Sequence, residues 1–581
     1  MVKFRFLALG LVFTALVLAS ATPRAEAHGV FTPDGHSAMT GHLGPFHATY
    51  ALTKGLQSDA LVACSSGMAG PYPCKNIDMA SYLNTNALFG NGSGSDITGW
   101  TDPVCGREIA IQGHSNATSF IDVSNPEVPV YMGTMPAILT GALWRELAVY
   151  NNHVYVVQDQ AGLGMQIFDL TRLRLPPPAP DPCAAPVPQT VYTADATWTG
   201  PATGAGSGLS TVHTITISEQ TGFAYLDGSD TCSGSPHVLD LKPNPKAPVW
   251  VGCISTEQNY VHDAQCVVYH GPDTAHVGQE ICVYYTGQGT RADTITVYDV
   301  TDKGAPVRLS RTGYAGSAYT HQGWFTVDQR YVVADDEVDE TGTENTTTFL
   351  WDMSDLDDAT NDTGLDAEGP RLLSGDANPL PGWQHATICT DHNQFVRGNL
   401  SYQSNYACGL RIMSLNDIAN GKLTELAYFD TMPTHDFIPG ASDGGDLQGD
   451  WANYPYFASG NVVTSNITLG LFVLTPQLGP TAVTLTSFRG RQTGKHVTLN
   501  WRTASESDIL GYNVFRYGQN RRVKLTNTLV PAKALGRAGG ATYRLVDRHA
   551  RPGVAYTYKL QVVTKSGLRA WKASTAVQVR R

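Results

Sequence analysis

The chain has little of what helical proteins are built from. Only 15% of its 581 residues are charged, and no stretch of useful length repeats apolar residues at helical spacing. Past the first 27 residues, no run approaches the roughly 20 apolar residues that a membrane helix needs. The ten cysteines include no Cys-x-x-Cys pair, which argues against a zinc ribbon or a thioredoxin-like redox centre. There is no Gly-x-Ser-x-Gly elbow, no His-Glu-x-x-His, no phosphate-binding glycine loop and no Cys-x-x-Cys-His haem site. Ser, His and Asp are plentiful, but no arrangement of them marks a catalytic triad.

What is present reads as an exported all-β protein. Lys3 and Arg5, the apolar run from Phe6 and Ala25-Glu26-Ala27 form a signal-peptide pattern over residues 1–27. The mature chain is expected to begin at His28, outside the cytoplasm. An even number of cysteines fits an oxidising compartment. Local pairing predicts Cys64–Cys74, Cys232–Cys253, Cys266–Cys282 and Cys389–Cys408, leaving Cys105 and Cys183 as a longer-range pair or as free thiols. Short Val/Ile/Tyr/Phe runs alternate with Gly, Pro, Asn and Asp, the composition of strands and tight turns.

A repeat organises the body: an apolar pair, then Asp or a substitute, an apolar residue and a polar turn. Its copies centre on Asp122, Asp169, Asp240, Asp299, Asp352 and Ser414, with a divergent last copy at Leu471-Phe472-Val473-Leu474. The spacing of about fifty to seventy residues lies near that of propeller repeats. Seven four-stranded units suit a ring in which each buries its faces on its neighbours. The Asp is suited to hold backbone N–H groups of the following turn, a structural role. The segments therefore read as 28–95, an N-terminal leader region with a local disulfide; 96–477, a seven-bladed β-propeller; and 478–581, a β-sandwich.

The repeat resembles the LVIVD repeat. Asp96-Ile97-Thr98-Gly99-Trp100-Thr101-Asp102, Trp144-Arg145-Glu146, Thr193-Ala194-Asp195-Ala196, His262-Asp263-Ala264-Gln265-Cys266 and Thr320-His321-Gln322-Gly323-Trp324 resemble, in that order, the choice-of-anchor B family of secreted bacterial proteins. The resemblance spans roughly residues 60–477 and implies a secreted or cell-surface propeller, with no established activity. In the last segment, Pro552-Gly553-Val554-Ala555-Tyr556-Thr557-Tyr558 resembles the tyrosine-corner strand of fibronectin type III domains, which usually serve as spacers or adhesive modules.

Three sets of residues suggest chemistry. Arg145, His213, His262, His321 and His392 stand at the starts of successive units, where first strands of a propeller line the central channel. The four histidines either cap strands and bond backbone, or converge on a transition metal or an anion. Asp335, Asp336, Glu337, Asp339 and Glu340 form an acidic loop suited to calcium or simply to water. His28, followed by His36, His42 and His47, opens a leader that either scavenges metal or does nothing.

Charge is unevenly divided. From Leu478 onward 19 Lys and Arg face only Glu506, Asp508 and Asp547, a net of +16; the rest carries −28 of the total −12. Such a split allows the tail to dock on the body or to meet an anionic glycan or the cell envelope; in an exported chain nucleic acid is not the expected partner. The leading functional expectation is a binding or scaffold protein for an unknown protein or glycan partner. The alternative is a metal-dependent oxidoreductase or hydrolase working in the channel.

Overall fold

The computed structural model describes residues 57–58 and 61–580, apart from 161, 163, 176–180, 184–188, 257–259, 288–293, 315–316, 338–345, 358–369, 374–382, 385–388, 434–447, 479–484, 504–505, 507–508, 519–520, 534–539 and 565–568. The expected signal peptide, the leader histidines His28, His36, His42 and His47, and Asp339 and Glu340 lie outside the described residues.

The described chain is all-β, and residues 57–476 form seven separate sheets. Their first strands are Gly94–Thr101 (β1), Arg145–Tyr150 (β2), Thr214–Ser218 (β3), Asp263–Val268 (β4), Thr320–Phe325 (β5), Gln394–Arg397 (β6) and Asp450–Tyr454 (β7). From each, the chain folds outward through antiparallel neighbours. The first strands adjoin one another in chain order, and β7 adjoins β1.

The repeated Asp sits at the end of the third strand of its sheet, and its side chain holds the turn that follows. Asp122, Asp169, Asp240, Asp299 and Asp352 each accept from the backbone N–H two residues on, at 2.9–3.1 Å. Ser414 Oγ does the same for Asn416 at 3.3 Å. A short polar side chain bonding its own backbone in this way fixes the turn locally.

Neighbouring first strands are stitched by side chains. Asp96 accepts from the Leu147 N–H, Gln265 from the Phe325 N–H and Gln322 from the Gln394 N–H. Thr214 and Thr216 donate to the carbonyls of His262 and Ala264. These contacts satisfy buried backbone groups that lie between sheets.

Two of the sheets draw on chain from far upstream. Tyr72–Lys75 pairs with Thr424–Phe429 in the sixth sheet, and Ile77–Leu83 pairs with Gly470–Pro476 in the seventh. Ile77, Met79 and Tyr82 are buried against Phe472 and Leu474. Part of the stretch 28–95, expected as a leader, thus belongs to the sheets. A strand whose partner lies almost 400 residues away leaves no local mark in the sequence.

All four local disulfides form as expected, and Cys105 bonds Cys183. Cys266 and Cys282 face each other across adjacent strands of the fourth sheet.

After residue 484 a second unit packs a three-stranded sheet against a larger one built on Ile509–Gly518, Ala555–Thr564 and Arg569–Gln578. Its core holds Trp501, stacked on Tyr543 at 5.0 Å, with Tyr512 and Tyr558. The Arg551 N–H donates to Tyr556 Oη. This basic unit rests on the acidic body. Arg522 pairs with Glu108 at 2.8 Å, both buried, and Glu108 also accepts from the Ser459 N–H. Lys559 meets Glu127, Arg521 meets Asp181, and Gln561 donates to the Ser459 carbonyl.

Arg522→Ala strands the Glu108 carboxylate in the interior and is expected to destabilise the protein by about 3–5 kcal/mol in urea unfolding. Combined with Glu108→Gln in a double-mutant cycle, the two sites should be strongly coupled. A coupling below about 0.5 kcal/mol would mean that the pair does not form.

Candidate functional site

Each of the four histidines sits at or just before the first strand of its sheet. That shared position turns four imidazoles from four different sheets toward one another. His213 and His262 have ring centroids 4.3 Å apart, His262 and His321 4.2 Å, and His321 and His392 4.4 Å. All four are buried. The expected convergence of His213, His262, His321 and His392 is present as geometry.

The orientation of the rings follows one rule. His213 Nδ1 lies 2.9 Å from Asp159 Oδ2, and His262 Nδ1 lies 2.9 Å from the His321 carbonyl. His392 Nδ1 lies 2.6 Å from the Trp451 carbonyl, and His321 Nδ1 lies 3.5 Å from Asp335. Carbonyls only accept, so the Nδ1 atoms of His262 and His392 carry the proton and their Nε2 atoms keep the lone pair. The Nε2 atoms then face shared space. Those of His213 and His262 stand 2.7 Å apart. Those of His321 and His392 each lie 3.8 Å from a carboxylate oxygen of Glu337.

Glu337 completes the group. Tyr406 donates to its Oε1 at 2.8 Å. Its Oε2 and both ring nitrogens of His321 are buried and make no hydrogen bond among the described residues. Ligand atoms of His262, His321 and Glu337 all lie within 4.8 Å of one another. Burial holds the His321 and His392 imidazoles well below their ordinary range, so both are neutral. Burial also raises the Glu337 carboxyl to about 8. At Asp159 burial is outweighed by the hydrogen bond and charge of His213, which hold it below the usual carboxylate range.

Arg145 takes a different part. It lines the same narrow space but donates to Gln158 Oε1 at 2.7 Å and to the Leu139 carbonyl. The cavity there measures about 10 Å³, room for about one water.

The described carboxylates of the acidic run, Asp335, Asp336 and Glu337, turn to different partners. Asp335 accepts from the Gln322 N–H, and Asp336 accepts from Tyr314 Oη and the Ala318 and Tyr319 N–H groups. Glu337 turns to the histidines instead. Asp335 and Asp336 end a strand, so successive side chains point to opposite faces.

Two contributors carried no mark in the sequence. Asp159, which orients His213, follows the second strand of its sheet. A second group, Asp273, His276 and Asp357, also brings ligand atoms within 4.8 Å of one another, further out on the body. There burial opposes, but bonds to Asp357 and Gln279 prevail, and the His276 imidazole is held above its ordinary value.

No family model and no curated protein sequence matches this chain. Among solved structures it is similar to U3-55K, 10% identical, covering 66% of this chain and 95% of that one with a TM-score of 0.40. It is also similar to a protein from Lactobacillus plantarum, 13% identical over 74% of this chain and 94% of that one, TM-score 0.38. An Fn3-like protein from Clostridium thermocellum is 17% identical over 17% of this chain and 97% of its own, TM-score 0.13.

Carboxyls on the inner strands make stability depend on pH. Burial raises Asp450 to about 7, against 3.8 ordinarily. The folded state therefore keeps a proton that the unfolded chain releases. Its stabilising contribution is full below pH 4 and is lost as pH rises to about 7. Asp450→Asn removes that loss. The variant should gain on the native protein by up to about 4 kcal/mol between pH 4 and pH 8, read from urea midpoints. An equal difference at both pH values would mean that Asp450 titrates normally.

Proposed function

We propose that the chain is a secreted seven-bladed β-propeller of the LVIVD type that holds a transition-metal ion in its central channel. A fibronectin type III-like sandwich follows, docked on the body as a spacer or adhesive module. The cyclic order of the seven first strands supports the propeller. The five disulfides are consistent with export.

One observation carries the metal. Four buried imidazoles turn Nδ1 toward a carbonyl or carboxylate and Nε2 inward, beside a Glu337 oxygen and His321 ring nitrogens that make no hydrogen bond among the described residues. Metal-ligating histidines are oriented by just such outer partners. An anion fits poorly, because the neutral His321 and His392 offer it no positive charge. A cation instead satisfies the lone pairs, and binding it would release the proton that burial keeps on Glu337. Imidazole with one carboxylate suits zinc, iron or copper. His262, His321 and Glu337 would hold the ion, and His213 and His392 would flank it. The Nε2 atoms of His213 and His262 stand 2.7 Å apart, closer than two bonds of about 2.0 Å to one ion would set them, which leaves His213 outside the ligand set.

Beside the cluster, the cavity lined by Arg145, His213, His262 and His392 has room for about one water.

The secreted protein is expected to retain near-stoichiometric zinc, iron or copper by inductively coupled plasma mass spectrometry. His262→Gln/His321→Gln should lose it while keeping its β-sheet circular dichroism. The ion should also stabilise the fold, by about 2.7 kcal/mol at a hundredfold excess over its dissociation constant. If no transition metal stays bound after loading with each of the three and desalting, the histidines are structural and the reading fails.

A further inference from the structure

A second concave site lies where the C-terminal unit meets the first sheet. This cleft encloses about 430 Å³, the size of a small-molecule site, and such sites favour boundaries between domains. The turn residues Ser124 and Asn125 form one wall. Tyr517, Arg521, Arg522 and Tyr556 belong to the other.

Its chemistry is selective. No Asp or Glu is among the lining residues. Arg522 reaches Glu108 with Nη2, but its Nη1 is buried and makes no hydrogen bond among the described residues. The side chain is 7% exposed, so this N–H edge is desolvated without compensation. Arg521 bonds Asp181 through Nη1 and stays 41% exposed, leaving other N–H groups to offer. Each guanidinium is already half neutralised, so the cleft suits a single negative charge better than a dianion. Tyr517, half-buried with Lys559 over its ring, supplies an aromatic surface, while Ser124, Asn125 and Thr557 supply hydroxyl and amide groups. Gly518 lets the hairpin close on Tyr556, because a Cβ there would stand 2.4 Å from that ring.

We propose that this cleft binds a carboxylate-bearing sugar, with the carboxylate on Arg521 and Arg522 and the sugar ring against Tyr517. Arginine's planar fork matches a carboxylate, and an aromatic face matches the C–H face of a sugar. The site is independent of the channel and its ion.

The test is calorimetric titration of the full-length protein with a hyaluronan tetrasaccharide, which carries glucuronate. Cellotetraose and sodium sulfate serve as the neutral and inorganic comparisons. Saturable binding is expected for the hyaluronan fragment alone, weakened about tenfold or more by Arg521→Ala. Tyr517→Leu should weaken it without changing the melting temperature. Arg521 is exposed, so its removal should leave folding intact. No saturable binding overturns the proposal. So does sulfate or cellotetraose binding as tightly, or an Arg521→Ala variant with native affinity.

Discussion

The architecture turns on one strand pairing, that of Ile77–Leu83 with Gly470–Pro476. The seven sheets have their own internal ladders, but none would face a defined neighbour at both ends of the row without it. The pairing brings the start of the described chain to the last sheet, and β7 comes to lie beside β1. Once the row is cyclic, equivalent positions of successive sheets must point at one centre. The histidine cluster is thus a product of closure: no two of its rings come from the same sheet.

Gathering polar groups at that centre is costly, and the structure shows how the cost is met. Two of the inner carboxyls, Asp96 and Asp335, accept from backbone N–H groups of a neighbouring strand. Buried carboxyls drift up and buried imidazoles drift down, so both classes tend toward neutrality. His321 and Glu337 are wholly buried, close in space, and are among the groups that leave atoms without hydrogen bonds to the described residues. Stability alone would favour apolar residues there. Their presence in the tightest part of the fold argues for a ligand.

Features governed by local chemistry could be read from the sequence. The repeated Asp announced each turn because its partner is two residues away. The histidines were recognisable because a fixed place in each unit becomes a fixed place on the inner rim. The local disulfides followed from spacing. Features governed by distant contacts could not be read. The strand Ile77–Leu83 looked like leader because its partner lies near the other end of the body. Glu337 sat in an acidic run and suggested calcium, yet strand alternation sent Asp335, Asp336 and Glu337 to different partners. Asp159 had no signature, because orienting His213 depends on how two sheets meet. The charge split hinted at docking, but the choice of Glu108 as the buried partner of Arg522 came only with the fold.

The disulfides have a topological consequence. Cys232–Cys253, Cys266–Cys282 and Cys389–Cys408 each close a short loop of 16–21 residues, and none of the five joins Ile77–Leu83 to Gly470–Pro476. Four of the covalent links act as rivets over short stretches of chain, Cys105–Cys183 spans the strands between Glu108 and Asp169, and the seam itself is held by hydrogen bonds and apolar contact. Oxidation can therefore finish before the circle exists. The finished molecule can part at its seam with every sulfur–sulfur bond intact.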